Sequence, residues 1–440
     1  MDILIKIAQL FLCFTILVGI HELGHFLMAR AFKIRVEKFY IFFDPWFSLF
    51  KFKRGDTEYG LGWLPLGGYV KIAGMIDESM DKEQMKQPVK PDEFRAKPAW
   101  QRLLVMVAGV MMNVLLAIVI YCAVCYTWGD SYFSNQDAKW GYNFNPTAHE
   151  MGFRDGDRFV SIDGEEIDNV MRVQNARLIP DGGRRVVVER GGEPVTLDIP
   201  FESLLRMRQE KAYEDLFTLR LPFIVDSVSY TSAVEAGLQS GDEVVAIDDL
   251  RDADYPRYRD YLQKHKNDKV LLTVRRDGAL IDSLALPVDA EGRIGVTVTN
   301  PYSLRTQYYT FWESIPAGIH KAGKTISSYW DQLKLIVQPK TKMYEELGGF
   351  VAIGSIFPGS WDWHDFWLKT AFLSIILAVM NLLPIPGLDG GHALFTLWEI
   401  ITRRKPSEKF LEVAQYVGLM IILALLVYAN GNDIYRFFIK

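Results

Sequence analysis

The sequence predicts a polytopic α-helical membrane protein: four transmembrane helices, membrane-associated β-hairpins, and two inserted extracytoplasmic domains of β-rich α+β character. Three observations predict it. Residues 7–20, 103–128, 370–388 and 413–432 are apolar and nearly uncharged. The last three approach or exceed the about 20 residues that span a bilayer as a helix. The first does so once Ile3–Ile5 and the start of His21-Glu22-Leu23-Gly24-His25 are counted. Between the second and third stretches lies a polar, Gly- and Asp-rich region with an internal repeat, and between the first and second a stretch of strand-like pattern.

In chain order, residues 1–33 form the first span. Lys6 followed by Ile7–Ile20 also fits a signal peptide, with Ala29-Arg30-Ala31 as its cleavage site. Arg30 makes that site poor, and cleavage would discard both histidines. Residues 34–100 carry eight or more Lys and Arg between the first two spans, which places this loop in the cytoplasm. Its FKIRVEKFYIFF, FSLFKFKRG and EYGLGWLPLGGYVKI runs read as strands and hairpins, either peripheral or dipping into the membrane against helices, since open strands cannot face lipid. Residues 78–98 are charged and read as a flexible loop. The second span covers 101–128. Cys122 and Cys125 in it read as packing residues, and the polar region has no cysteine to form a disulfide.

Residues 129–365 fall outside, as do both termini. Within them GFRDGDRFVSIDG (152–164) aligns without gaps with GLQSGDEVVAIDD (237–249), and VVVERGG (186–192) with LTVRRDG (272–278). Each copy reads as a short helix, a Gly-Asp turn, an alternating strand, an Ile-Asp turn, then a further helix and strand pair. The pattern resembles bacterial PDZ domains, over 129–221 and 222–300. PDZ domains take up an extended peptide as an added strand, although copies acting as spacers or size filters fit equally well. Residues 301–365 follow as a linker with an amphipathic, aromatic part (Tyr302–His320) that lies on the outer membrane surface or docks on the protein. The third span is 366–402 and the fourth 408–432. Arg403, Arg404, Lys405 and Lys409 mark their connection as cytoplasmic. The net charge of −5 gives no support for nucleic-acid binding.

Ionisable groups are costly at a span, so His21, Glu22 and His25 need a reason. His-Glu-x-x-His on a helix puts two imidazoles on one face within reach of one Zn²⁺, with the glutamate as general base. The bland alternative is polar residues just outside the bilayer. Catalytic zinc takes a third protein ligand and keeps one position open. His149, His265, His320 and His364 belong to the outer side, which leaves cytoplasmic acids and His392. In NLLPIPGLDGGH (381–392), Pro384 and Pro386 break the helix and Asp389 follows at matching depth, as ligand or as helix N-cap. Gly390 and Gly391 let backbones approach closely.

HELGH in the first span together with Asn-x-x-Pro-x-Pro-x-Leu-Asp-Gly-Gly in a later one resembles the site-2 protease family of intramembrane zinc metalloproteases. AGVMMN (108–113) is similar to that family's Gly-x-x-x-Asn element, and the four spans with tandem PDZ domains resemble a bacterial branch of it. The resemblance implies one Zn²⁺ per chain on His21, His25 and Asp389, with Glu22 as the catalytic base. It implies substrate contacts at Asn381, and assigns Asn113, Gly109, Gly67 and Gly68 to the substrate-binding set, packing being an equal reading for Asn113 and Gly109. The stretch from Gly60 to Val70 would be the membrane-re-entrant β element, and His392 would stay outside the ligand set. The implied activity is regulated intramembrane proteolysis in a bacterial inner membrane, with periplasmic PDZ domains. Its partners would be the bilayer and single-span membrane proteins (an anti-sigma factor or remnant signal peptides), some already cut by a periplasmic protease. Val110 and Phe350 depart from the family pattern, which commonly has proline there. An inactive PDZ-bearing scaffold and a zinc transporter are the rival readings. Neither needs Glu22.

Overall fold

A computed structural model describes residues 2–64, 67–75, 88–168, 182–210, 212, 216–252 and 254–436. The chain divides into two compact units, Met1–Asp130 with Gln307–Lys440, and Ser131–Thr306.

The first unit is built on helices. Four are long and apolar enough to cross a membrane: Asp2–Ala31, Ala99–Trp128, Trp363–Leu382 and Lys409–Ile434. With their shorter companions they are α1 (Asp2–Ala31), α2 (Ala99–Trp128), α3 (Phe311–Val337), α4 (Phe350–Ser355), α5 (Trp363–Leu382), α6 (Asp389–Thr402) and α7 (Glu408–Ile434). Each boundary has a local cause. Pro98 precedes α2, and Gly129 ends it with φ 74°, returning its N–H to the Cys125 carbonyl. Asp362 caps α5 by accepting the N–H groups of His364 and Asp365. Ser407 caps α7. A capping box of Thr310 and Glu313 starts α3.

Helix α2 is the hub. It packs against α1, α3, α5 and α6. Gly318 of α3 lies so close to α2 that a Cβ there would stand 2.6 Å from the Cys122 backbone nitrogen. Ala322 is buried with Tyr121, Val124, Ala371 and Ile375. From Phe311 onward, therefore, the aromatic segment expected on the membrane surface or on the protein docks on α2 and α5. Phe350 opens α4 by donating its N–H to Asn430 Oδ1 of α7, a bond proline could not make. Asp433 of α7 accepts the next two N–H groups, from Val351 and Ala352.

A four-stranded sheet follows α1: β1 (Val36–Ile41), β2 (Phe43–Arg54), β3 (Thr57–Leu64) and β4 (Tyr69–Ile72), in the order β2-β3-β1-β4. Strands β2 and β3 form the hairpin that the alternating pattern suggests, turning at Gly55 with φ 64°. Strands β1 and β3 pair in parallel; Phe42, between β1 and β2, and Trp46, in the irregular first part of β2, both have positive φ. The tight pairing requires glycine at Gly60 and Gly62, where a Cβ would stand 2.2 Å from the Tyr40 ring and 2.1 Å from the Phe43 carbonyl oxygen. Trp46, Phe47, Leu49 and Phe50 leave a large apolar surface exposed on β2. Of the charged stretch expected as a flexible loop, residues 78–87 lie outside the described residues.

The second unit has two hydrophobic cores, one for each copy of the repeat. Phe144, Phe153, Phe159, Val186 and Val188 centre the first. Phe223, Ile247, Tyr258, Val270 and Leu272 centre the second. Corresponding strands pair alike: Arg158–Ile162 with Arg184–Arg190 with Glu193–Ile199, and Glu243–Ile247 with Lys269–Arg276 with Ala279–Pro287. The further helix is Tyr255–Lys264 in the second copy. The position expected for it in the first copy falls mostly on residues 169–181, which lie outside the described residues. The repeated Gly-Asp turn has a structural reason. Asp157 is wholly buried and held by Nε and Nη2 of Arg190, and Asp242 is held likewise by Arg276. Each arginine also donates to the carbonyl of the glycine five residues before its aspartate, Gly152 or Gly237.

Candidate metal centre

The centre is assembled from α1, α2, α6 and β4. Spacing of i and i+4 puts His21 and His25 on one face of α1, their Nε2 atoms 3.2 Å apart. Two glycines turn that face onto α2. A Cβ on Gly24 would stand 2.5 Å from the Ala108 carbonyl oxygen. One on Gly109 would stand 2.5 Å from His25 Nε2 and 2.7 Å from His21 Cε1. Without those side chains the two helices touch through their backbones, and both imidazoles rest on Gly109.

Asp389 arrives from a break in the third apolar stretch. Helix α5 stops at Leu382, the chain bends through Pro384, Pro386 and Gly387 (φ 98°), and α6 begins at Asp389 itself. Gly390 and Gly391 permit the bend, since a Cβ on either would meet the Leu383 or Ile385 carbonyl oxygen at 2.3 or 2.5 Å. Asp389 Oδ2 lies 3.1 Å from His21 Nε2 and 3.3 Å from His25 Nε2. One ligand atom from each of the three residues lies within 4.8 Å of the others.

This donor set fits a zinc ion. Two imidazole nitrogens and one carboxylate oxygen converge, three protein ligands being the number that leaves a fourth position open. Asp389 Oδ2 is buried without a hydrogen-bond donor, and a cation among the three groups would supply its missing partner. The far nitrogen of His25, Nδ1, lies 2.8 Å from the Val105 carbonyl oxygen. That carbonyl can only accept, so the Nδ1 proton points at it and the Nε2 lone pair faces the cluster.

Glu22 follows His21 on α1, and its carboxylate lies near the backbone N–H of Val70. Val70 belongs to β4, one of the two edge strands of the sheet. Gly68 just before β4 is pressed against α1, where a Cβ would stand 2.8 Å from Val18 Cγ1 and 3.4 Å from Glu22 Cγ. Gly67 packs on the Phe43 ring and adopts φ 150°. Asn113 is buried beside His21, its Nδ2 3.3 Å from His21 Nδ1. Asn381 is half-buried in the last turn of α5 and, among the described residues, makes no hydrogen bond to the three ligand candidates. His392 is outside the cluster. It lines a cavity of about 180 Å³ with Met106, Thr396, Glu399 and Gln415. The geometry thus gathers His21, His25, Asp389, Gly109 and Asn113 around one point, with Glu22 beside them and Gly68 against the Glu22 stem. It adds two partners with no side-chain signature, the Val70 N–H and the Val105 carbonyl.

Comparison with known proteins bears on this cluster. The profile described as peptidase family M50 matches residues 9–425. A Clostridium perfringens protein whose name describes a zinc metalloprotease is 28% identical to the chain over 427 residues, covering 96% of each. A Vibrio cholerae protein with the same description is 29% identical over 462 residues and 99% of each. The regulator of sigma E protease of Haemophilus influenzae is 26% identical over 460 residues, 99% of this chain and 100% of its own.

Proposed function

The chain belongs to peptidase family M50 and is a zinc metalloprotease of the site-2 type, and on that premise we propose that it hydrolyses a peptide bond within the transmembrane segment of a membrane protein. The observation that carries this reading is the convergence of His21, His25 and Asp389, from two distant stretches of chain, next to Glu22. These three residues would hold one Zn²⁺. A bound zinc ion supplies Lewis acidity, which makes water acidic near pH 7 and polarises a carbonyl.

The protein's own groups do the rest. Glu22 takes the proton of the attacking water and returns it to the departing amine. The nearby Val70 N–H orients the carboxylate for both transfers. A transmembrane helix has its carbonyls tied in intrahelical bonds and must unwind before attack. Strand β4 is an edge, and an unwound segment added along it would pass beside Glu22. Gly67 and Gly68 keep that approach narrow and free of side chains, Gly109 forms the floor under the ligands, and Asn381 contacts the substrate backbone from the α5 end.

The two repeat copies are PDZ domains, 129–221 and 222–300, on the periplasmic side of a bacterial inner membrane, with both termini on that side and the metal centre toward the cytoplasm. Tryptophans at helix ends support spans bounded at two interfaces, Trp100 and Trp398 at one and Trp128, Trp361 and Trp363 at the other. The substrates are single-span proteins, an anti-sigma factor or remnant signal peptides, selected after a periplasmic protease has shortened them.

The test mixes purified protein with a single-span substrate and compares wild type with Glu22→Gln. We expect zinc in both proteins and a cleavage rate lower by about 10²–10⁴-fold in the variant, the span of a positioned general base. Equal cleavage by the variant, or a wild type without zinc, sinks the reading.

A further inference from the structure

Asn113 has no exposed surface. It is placed behind His21, one helical turn beyond Gly109, and Ser374 of α5 anchors that turn by donating to the Asn113 carbonyl at 2.8 Å. A residue so enclosed is not available to a peptide. Its amide nitrogen faces His21 Nδ1 at 3.3 Å, while its Oδ1 is buried with no donor. Both features belong to one orientation of the amide. Turning it end for end preserves its outline, and the surrounding hydrogen-bond groups decide which end is which.

The neighbouring ligand shows what those groups require. His25 gives its Nδ1 proton to the Val105 carbonyl and so keeps a lone pair on Nε2. For His21 to offer Nε2 to the same metal, its proton must likewise be on Nδ1, and that proton needs an acceptor. The turned amide places Oδ1 there and gives this buried oxygen its missing donor.

We propose that Asn113 is a positioning residue for the zinc ligand His21. Its side-chain oxygen accepts the Nδ1 proton, holds the tautomer whose Nε2 is free for the metal, and fixes the rotation of the ring. The proposal rests on the zinc reading above and replaces the substrate contact expected of Asn113 with a role behind the metal. The pair of outer partners is then one backbone carbonyl for His25 and one side-chain carbonyl for His21.

The test measures zinc affinity of the purified full-length protein by competition with a chromophoric chelator, together with KM and kcat on a single-span substrate. Asn113→Leu keeps the volume and removes the acceptor. Asn113→Asp keeps an acceptor in place. We expect the leucine variant to lose about 10–100-fold in zinc affinity, the usual effect of removing an outer partner of a metal-bound histidine. The aspartate variant should bind zinc within a few-fold of wild type, with unchanged KM. Wild-type affinity in the leucine variant overturns the proposal, and so does an aspartate variant as weak as the leucine one. If Asn113→Leu does not fold, the aspartate variant decides alone, because a donor or substrate-contact role predicts that it loses zinc affinity or raises KM. A wild type without zinc would refute the zinc reading itself, a result distinct from either of these.

Discussion

At the scale of residues, the metal centre depends as much on absent side chains as on ligands. Gly109 has no catalytic atom, yet both imidazoles rest on it. A methyl group there would stand 2.5 Å from His25 Nε2 and 2.8 Å from His21 Nε2, inside any van der Waals contact. With α1 and α2 held together, the rings relieve this by rotating off the point they share with Asp389. Gly109→Ala is therefore expected to lower zinc affinity by at least the about 10–100-fold that loss of an outer-shell partner costs, while alanine, a better helix former than glycine, leaves α2 intact. Chelator competition and circular dichroism on the same sample check both halves. A variant with wild-type zinc affinity would mean that α1 and α2 can separate at little cost.

At the scale of elements, much of the centre was legible because its signals are local. The His-Glu-x-x-His spacing needs only a helix, and Pro384 and Pro386 announce the break that delivers Asp389. The apolar lengths mark four candidate spans. What stayed hidden is carried by backbone atoms. Nothing in the identity of Val70 or Val105 says that one N–H would come near Glu22 or that one carbonyl would hold His25. The parallel pairing of β1 with β3 was also out of reach, since side-chain alternation is the same for parallel and antiparallel neighbours. Helix α7 illustrates a third kind of hidden constraint. Most of its surface is exposed. It is held at one end by Asp433 and Asn430 against α4 and nearer the other by Gly418 against the Pro386 carbonyl, where a Cβ would stand only 1.4 Å away. Pro386 is three residues before Asp389. Gly418→Val should push either α7 outward or the bend toward the ligands. A misplacement of about 1 Å at a reacting centre costs on the order of 10²-fold, so we expect a cleavage loss of that size with helix content unchanged. Full activity would show that α7 yields without moving the bend.

At the scale of the whole molecule, the two units have separate cores, and the repeat explains its own stability. Asp157 and Asp242 are wholly buried carboxylates, each with an arginine as its charged partner. Such a pair adds little over a well-packed apolar substitute, but removing one partner leaves a buried charge uncompensated, at a cost of about 3–5 kcal/mol. Arg190→Ala imposes that cost on the first copy alone: its core of Phe144, Phe159, Val186 and Val188 shares no residue with the second. It also lies outside the unit that holds His21, His25 and Asp389. The expected result is a lower unfolding temperature and faster proteolysis within 131–306, with zinc content unchanged. If the repeat copies select substrates rather than take part in the chemistry, cleavage of a short, already trimmed substrate should also stay at the wild-type rate, while discrimination against substrates with bulky flanking segments weakens. Thermal unfolding, limited proteolysis and paired cleavage of a trimmed and an untrimmed substrate separate these outcomes. Loss of zinc or of trimmed-substrate cleavage would show that the two units are energetically coupled, and the selective role would then have to give way to a catalytic one.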